Sequence, residues 1–422
     1  MRGVLVSVVA IGTLASCGRL SFDARGDGGN RDGSSNPDGG AAACNAITRI
    51  ADDFAIDRRA SLWSGAFFDG TTSGQVTNHS LVLTAEANAA MSFAGFQTGQ
   101  YYDLRGRRTS VELVQPVSGT AASNGIELGY SPGTYVQLEE TGGTLLASQR
   151  LDGTYSVMQT IPYDRVAHRY LAFSERAGRL YWETSSDGVT FVTLFDEVAP
   201  FDVALVTVTL YAGTQTPDPA PGSATFQSFN GGVADGSPAC NANTLVDTFD
   251  DGAIGHLWER SFADACCTDT EPGGQVVLAS NGTAGYVSRR SSAGYDLRDT
   301  AISVRTSGPL ANTPMYSALE AVIDPKNYVQ IEMRQSGYLL NRVAAGVQMQ
   351  NPSALVAGDD FLRLREASGQ LFFEASSDRV TWRVLDQEPT PLDLSDVVIG
   401  LEAGNNGNAS ANSVAFDDLN VP

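Results

Sequence analysis

Residues 135–139 read Tyr-Val-Gln-Leu-Glu, and residues 328–332 read Tyr-Val-Gln-Ile-Glu. In the first run Val136 and Leu138 fall on one parity and Tyr135, Gln137 and Glu139 on the other; the second run sets Val329 and Ile331 against Tyr328, Gln330 and Glu332. Successive side chains of a strand point to opposite faces, so each run predicts a strand with one apolar and one polar face. Strands of that kind belong to antiparallel sheets with one side on a core and the other in water.

The repetition extends outward in both directions. Upstream, Phe54 and Trp63 match Phe249 and Trp258, and Tyr102-Asp103-Leu104-Arg105 matches Tyr295-Asp296-Leu297-Arg298. Downstream, Ser185-Ser186-Asp187-Gly188-Val189-Thr190-Phe191 matches Ser376-Ser377-Asp378-Arg379-Val380-Thr381-Trp382. Leu210, Ala212, Gly213 and Phe226 match Leu401, Ala403, Gly404 and Phe416. The period is too long for a solenoid or propeller unit, so each copy is a domain: residues 44–230 and 240–422, joined by a Gly/Pro-containing linker at 231–239. Further alternation appears at Leu180 and Trp182 against Tyr181 and Glu183, and at Val206, Val208 and Leu210 against Thr207 and Thr209. Ser186-Asp187-Gly188 reads as a hairpin turn, since Asp and Gly tolerate the backbone that tight turns need. No window predicts a long amphipathic helix. The fold expected is all-β: two tandem antiparallel β-sandwiches. The repeat also acts as an internal control, because a residue present in both copies is expected to be structural.

Ahead of the repeats, Arg2 and the apolar run Val4–Leu14 have the form of a secretory leader, too short to span a bilayer. The run ends in Leu14-Ala15-Ser16-Cys17, which resembles the lipobox of bacterial lipoproteins. That resemblance implies cleavage before Cys17, lipidation of its thiol and, with Gly18 following, an outer-membrane location. Residues 18–43 are rich in Gly, Asp, Asn, Ser and Ala, which predicts a flexible tether. Arg25-Gly26-Asp27 within it is read as a chance occurrence. The formal charge of −21 repels nucleic acid and anionic headgroups alike, so the membrane is reached by lipid anchor only.

Four cysteines remain: Cys44, Cys240, Cys266 and Cys267. Neighbours such as Cys266 and Cys267 pair only with strain. The expectation is therefore two bridges joining Cys44 and Cys240 to the doublet, in either of the two possible combinations.

An opening Asp-Asp-Phe with a Trp nine residues after the Phe, a Tyr-Asp-Leu segment, a Ser-Ser-Asp hairpin and a closing Phe416-Asp417-Asp418-Leu419 together resemble the concanavalin-A-like lectin/glucanase (laminin-G-like) jelly roll. The resemblance covers nearly all of both copies. It implies paired curved sheets, one of them concave, and no single function. Glycosidases of this type carry a strand reading Glu-x-Asp-x-x-Glu, and no such run is present. The nearest candidates are Glu139 with Glu140, which fall on opposite faces, and Glu320 with Asp324 before Pro325. Gly129-Tyr130-Ser131-Pro132-Gly133 matches a nucleophile elbow in form only, since a strand rather than a helix follows it. His79, His168 and His256 have no metal-ligand spacing. The resemblance also implies a structural Ca²⁺ between terminal strands, with Asp247, Asp250, Asp251, Asp417 and Asp418 as ligand candidates. The four tryptophans are expected in the core, since each matches an aromatic residue in the other copy.

Ligand-binding candidates are the polar residues of the opening runs, Tyr135, Gln137, Glu139, Tyr328, Gln330 and Glu332, with Tyr181 and Glu183 extending the row. The function expected is non-catalytic glycan recognition at the cell surface through concave faces, and the chain is expected not to be an enzyme. A structural or adhesive spacer and a glycoside hydrolase with an unrecognised catalytic strand are the alternatives.

Overall fold

The computed structural model describes residues 44–252, 254–258, 260–307, 315–405 and 411–421. Cys17, the tether and Arg25-Gly26-Asp27 lie outside these residues. Nearly all regular structure is strand, with a few single-turn 3₁₀ helices. Among the described residues no helix is long and apolar enough to cross a membrane.

Each copy folds into two seven-stranded antiparallel sheets packed face to face. In the first, the sheet carrying Tyr135 runs, in spatial order, Phe67–Phe68, Ser92–Gln97, Thr207–Thr214, Ala122–Ser131, Thr134–Thr141, Thr144–Leu151 and Thr154–Pro162. Its counterpart in the second copy runs Phe262–Ala263, Gly285–Arg290, Val398–Asn405, Met315–Asp324, Asn327–Arg334, Gly337–Ala344 and Val347–Ser353. We call these the front sheets. The back sheets also correspond strand for strand and hold the Ser-Ser-Asp hairpins, where Asp187 and Asp378 each accept two backbone N–H bonds.

The alternation of the opening runs is realised as expected. Val136 and Leu138 lie in one core with Trp63, Trp182, Phe226 and Leu210, and Val329 and Ile331 lie in the other with Trp258, Phe373, Phe416 and Leu401. Trp182 crosses its sandwich, and its Nε1–H donates to the Gln137 carbonyl at 3.0 Å. One tryptophan departs from expectation. Trp382 is only half-buried, outside the second back sheet, with the Arg363 guanidinium 4.0 Å from its ring centre; its twin Phe191 sits under Arg108 at 4.1 Å. An aromatic position can be matched in both copies because a cation covers it, not only because a core encloses it.

The expected disulfide pattern is corrected. Cys44 bonds to Cys240, and Cys266 bonds to Cys267. Cys44 and Cys240 open their repeats next to equivalent segments: Ala46 bridges Asp103, and Cys240–Asn241 pairs with Tyr295–Asp296, both in parallel. The two sandwiches meet at these segments, so the equivalent cysteines face each other. The doublet instead opens the edge strand of the second back sheet, Cys267–Thr270.

Other contacts join the sandwiches along the same seam. The Asn45 N–H donates to Pro238 O at 3.1 Å and that of Tyr101 to Ser292 O at 3.0 Å. Arg49 pairs with Asp396 at 3.1 Å. The His256 ring stacks on Tyr130 at 3.9 Å, meets Tyr101 edge-on at 5.4 Å and places Nε2 2.8 Å from Leu205 O. The linker docks as well, through the Thr48 hydroxyl on Asp235.

Candidate functional site

Where Val136 and Leu138 point into the core, Tyr135, Gln137 and Glu139 must point out of the front sheet, and the pairing register gives them neighbours. Glu127 lies directly opposite Gln137, Gly125 opposite Glu139, and Tyr211 beside Gly125. The Gln137 side-chain amide donates to Glu127 at 2.9 Å, and the Tyr211 hydroxyl donates to Glu139 at 2.8 Å. Gly125 leaves room for this crossing, since a side chain there would collide with the Leu138 carbonyl and the Glu139 backbone. Arg150, Ser148, Tyr155 and Val157 complete the face on its far side.

The second front sheet repeats the core of this arrangement. Glu320 lies opposite Gln330, with Tyr328 and Glu332 on the same face. The match is Glu127/Glu320, Gln137/Gln330, Glu139/Glu332 and Tyr135/Tyr328. Around that shared set the residues differ. Glu402 stands where Tyr211 stands in the first copy, and accepts hydrogen bonds from Tyr316 at 2.6 Å and Gln330 at 3.2 Å. Arg290 donates to Glu320 at 3.0 Å and approaches Glu402 at 4.0 Å, and Ser288 donates to Glu320 at 3.1 Å. Asn341 donates to both Gln330 and Glu332, and Arg334 pairs with Glu332 at 2.5 Å. Glu139, Gln330, Glu332 and Asn341 are almost completely buried although they point away from the cores. Neighbouring side chains on the same face therefore close over them.

The electrostatics follow from that crowding. Burial pushes Glu127 up to about 7, against the hydrogen bond from Gln137 and with help from the charge of Glu139. Burial likewise raises Glu139 and Glu332. Burial, with the neighbouring Glu320, pushes Glu402 up to about 8. Each face thus holds a carboxyl group that keeps its proton well above the usual glutamate range, beside a second carboxyl group.

Other site expectations are corrected. Tyr181 and Glu183 do not extend the row. Their strand, Arg179–Ser185, belongs to the back sheet, and both Arg108 (2.9 Å) and Arg176 pair with Glu183. The five aspartates are not gathered into one cluster: among the described residues no group of three or more His, Cys, Asp or Glu side chains is arranged to hold a metal. Asp247 uses both oxygens to accept bonds, from the Phe249 N–H and Trp258 Nε1–H, each at 2.7 Å. Asp418 pairs with Arg379 at 3.4 Å. Asp417 ends the strand Asn412–Asp417 opposite Arg305, burial and the adjacent Asp418 raise its carboxyl, and Asp251 is hydrogen-bonded to Glu271.

Glu127 was missed by sequence reading, which sought catalytic carboxylates along one strand. These lie diagonally across two strands. The signal was present: Glu127 and Glu320 are equivalent in the repeat, on the polar parity of strands whose Ile126 and Leu319 face the cores.

No family model and no curated protein matches the chain. Solved structures do. The catalytic domain of a laminarinase, an endo-1,3-β-glucanase from Thermotoga petrophila, is 10% identical; 42% of this chain and 94% of that one are covered, at a TM-score of 0.33. A GH43 protein from Bacillus licheniformis is 13% identical, with 87% of each chain covered and a TM-score of 0.38. A legume lectin-like domain from Entamoeba histolytica is 13% identical over 38% of this chain and 87% of that one, with a TM-score of 0.30. At such identities the likeness concerns the β-sandwich fold alone. The expectation that the chain is not an enzyme is nevertheless overturned. That expectation rested on the absence of neighbouring carboxyl groups, and such groups are present on both front faces.

Proposed function

We propose that this protein recognises carbohydrate through the outer faces of its front sheets. The observation that carries the reading is the matched set Tyr135–Gln137–Glu139–Glu127 and Tyr328–Gln330–Glu332–Glu320. A solvated sheet face needs polar residues of almost any kind. Here both copies hold the same phenol, carboxamide and two carboxyl groups in the same register. Such groups accept and donate hydrogen bonds in the alternating pattern that vicinal hydroxyls present, and the tyrosines add apolar ring surface.

A second reading is glycosidic-bond hydrolysis, favoured by Glu127, whose carboxyl burial pushes up to about 7, beside Glu139. A carboxylic acid that donates to a leaving oxygen, next to a second carboxyl group, is the minimum equipment for that reaction. A glycan array with the mature chain, followed by a reducing-sugar assay on whatever binds, tests both. Binding without product formation supports recognition alone. Product formation abolished by Glu127→Gln or Glu320→Gln supports hydrolysis. No binding to any saccharide refutes the proposal.

The proposal extends to location. The leader, the lipobox-like segment ending at Cys17 and the tether fit an exported, lipid-anchored protein, and persistent disulfides suit an oxidising compartment. Mass spectrometry of a peptide beginning at Cys17 tests this: an unmodified thiol there refutes it.

A further inference from the structure

One shift of register separates the two front sheets. In the first, Thr144–Leu151 pairs with the edge strand Thr154–Pro162 from Thr144↔Pro162 to Ala147↔Gln159, and the register then slips so that Ser148 faces Val157 and Arg150 faces Tyr155. Met158 is the inserted residue. Ile161 packs against the core, and Tyr155 and Val157 share its parity, so an unbroken strand would turn them inward. The slip reverses facing from that point on and turns both onto the front face. Tyr155 is 44% exposed there and Val157 46%. In the second front sheet the equivalent strands pair without a slip, from Tyr338↔Ser353 to Ala344↔Val347. Its outward positions hold Gln348 and Gln350, and Gln350 donates to Asn341 at 2.7 Å. The fold therefore forms without the bulge, and one copy has it. A bulge at an edge strand commonly re-aims a side chain at a functional site.

We propose that this bulge delivers Tyr155 as the platform on which a pyranose ring of a neutral oligosaccharide stacks, making the first front face the one that adds ring stacking to the shared polar set. The inference deepens the carbohydrate reading and rests on it. The phenol ring offers its face to the axial C–H groups of the sugar, with Val157 beside it as an apolar shoulder. Tyr135, Gln137 and Glu127, half-buried, lie further in along the same face and meet ring hydroxyls. Two carboxyl groups and a strongly acidic chain disfavour an anionic sugar, so the ligand is neutral. On the second face, the carboxamides of Gln348 and Gln350 occupy the place of the platform, and Gln350 is bonded to Asn341.

The test is calorimetric titration of the full mature chain with neutral β-glucan oligosaccharides of several linkages. Tyr155→Ala is expected to weaken binding about tenfold or more, and Tyr155→Phe to stay within about threefold of the parent. Gln348→Ala, the twin substitution, is expected to leave affinity unchanged. Undiminished binding by Tyr155→Ala overturns this inference and leaves the carbohydrate reading standing. Failure of the parent chain to bind any saccharide overturns both.

Discussion

Asp247 is the residue whose loss distinguishes most sharply between a metal-binding and a structural role for the acidic opening of the second repeat. Its two oxygens accept bonds from the Phe249 N–H and from the Trp258 indole, each at 2.7 Å. Phe249 holds a φ of +54°, which a bulky residue adopts only when its surroundings enforce it. Both rings are fully buried. The first repeat is built the same way: Asp52 binds Phe54 N–H at 2.8 Å and Trp63 Nε1–H at 2.7 Å, and Phe54 has a φ of +53°. Asp247→Ala leaves two buried donors without acceptors, at roughly 1–3 kcal/mol each, so about 3 kcal/mol in total is a conservative expectation. For a domain of this size that lowers the melting temperature by about 6–12 °C. Asp247→Asn keeps one acceptor but turns an NH₂ toward a donor, so it is expected to recover little. Differential scanning calorimetry measures the shift, and EDTA added to the parent is expected not to reproduce it. A melt of Asp247→Ala within about 1 °C of the parent refutes the reasoning, as does an EDTA effect of equal size.

Glu127, raised to about 7 in the folded protein, favours folding while protonated and loses that contribution as pH climbs from the usual glutamate range through 7. The parent is therefore expected to lose more thermal stability between pH 5 and pH 8 than Glu127→Gln does, and parallel pH–melt curves refute this. Peptide mapping without reductant is expected to link Cys44 to Cys240. Replacing both with serine removes a bridge spanning 196 residues, for which loop entropy sets a stabilisation of about 5 kcal/mol, read as a lower melting temperature; a peptide joining Cys44 to the doublet refutes the pairing. Arg289, fully buried between Asp269 (2.6 Å) and Glu271, occupies the position of Phe96 in the first repeat. Arg289→Met strands two carboxylates and is expected to cost about 3–5 kcal/mol, whereas adding Asp269→Gly and Glu271→Val, the first-repeat residues, is expected to restore much of it; a fully stable single variant refutes this.

The architecture was legible because alternation and duplication are properties of the chain itself. Val136, Leu138, Val329 and Ile331 announce their facing by parity, and the Ser-Ser-Asp turns announce theirs by chemistry. What depends on pairing between distant strands was less legible. Tyr181 and Glu183 have the same parity pattern as Tyr135 and Glu139, but parity does not say which sheet a strand joins. The disulfides failed for a related reason. Equivalent positions in two copies need not be remote, and Cys44 and Cys240 are close because the opening segments of both repeats line the seam. Glu127 was hidden because the carboxyl pair is assembled across a ladder rather than along a strand.

The repeat is an internal control only once the side of the sheet is known. Matched residues that point inward, such as Trp63 and Trp258, serve packing. Matched residues that point outward, such as Glu127 and Glu320, serve no core, and both faces therefore present the same carboxyl groups. The unmatched outward residues then carry the difference. In the first copy Tyr211 donates to Glu139, which leaves the platform side of that face to Tyr155 and Val157. In the second, Glu402 replaces the tyrosine and recruits Tyr316 and Gln330, while Asn341 and Arg334 hold Glu332. The backbone register under the shared residues is the same in both, so the rewiring is confined to side chains and to one bulge. A duplicated fold that keeps its carboxyl pair and changes only what surrounds it presents the same carboxyl groups in two different hydrogen-bond settings on one backbone register.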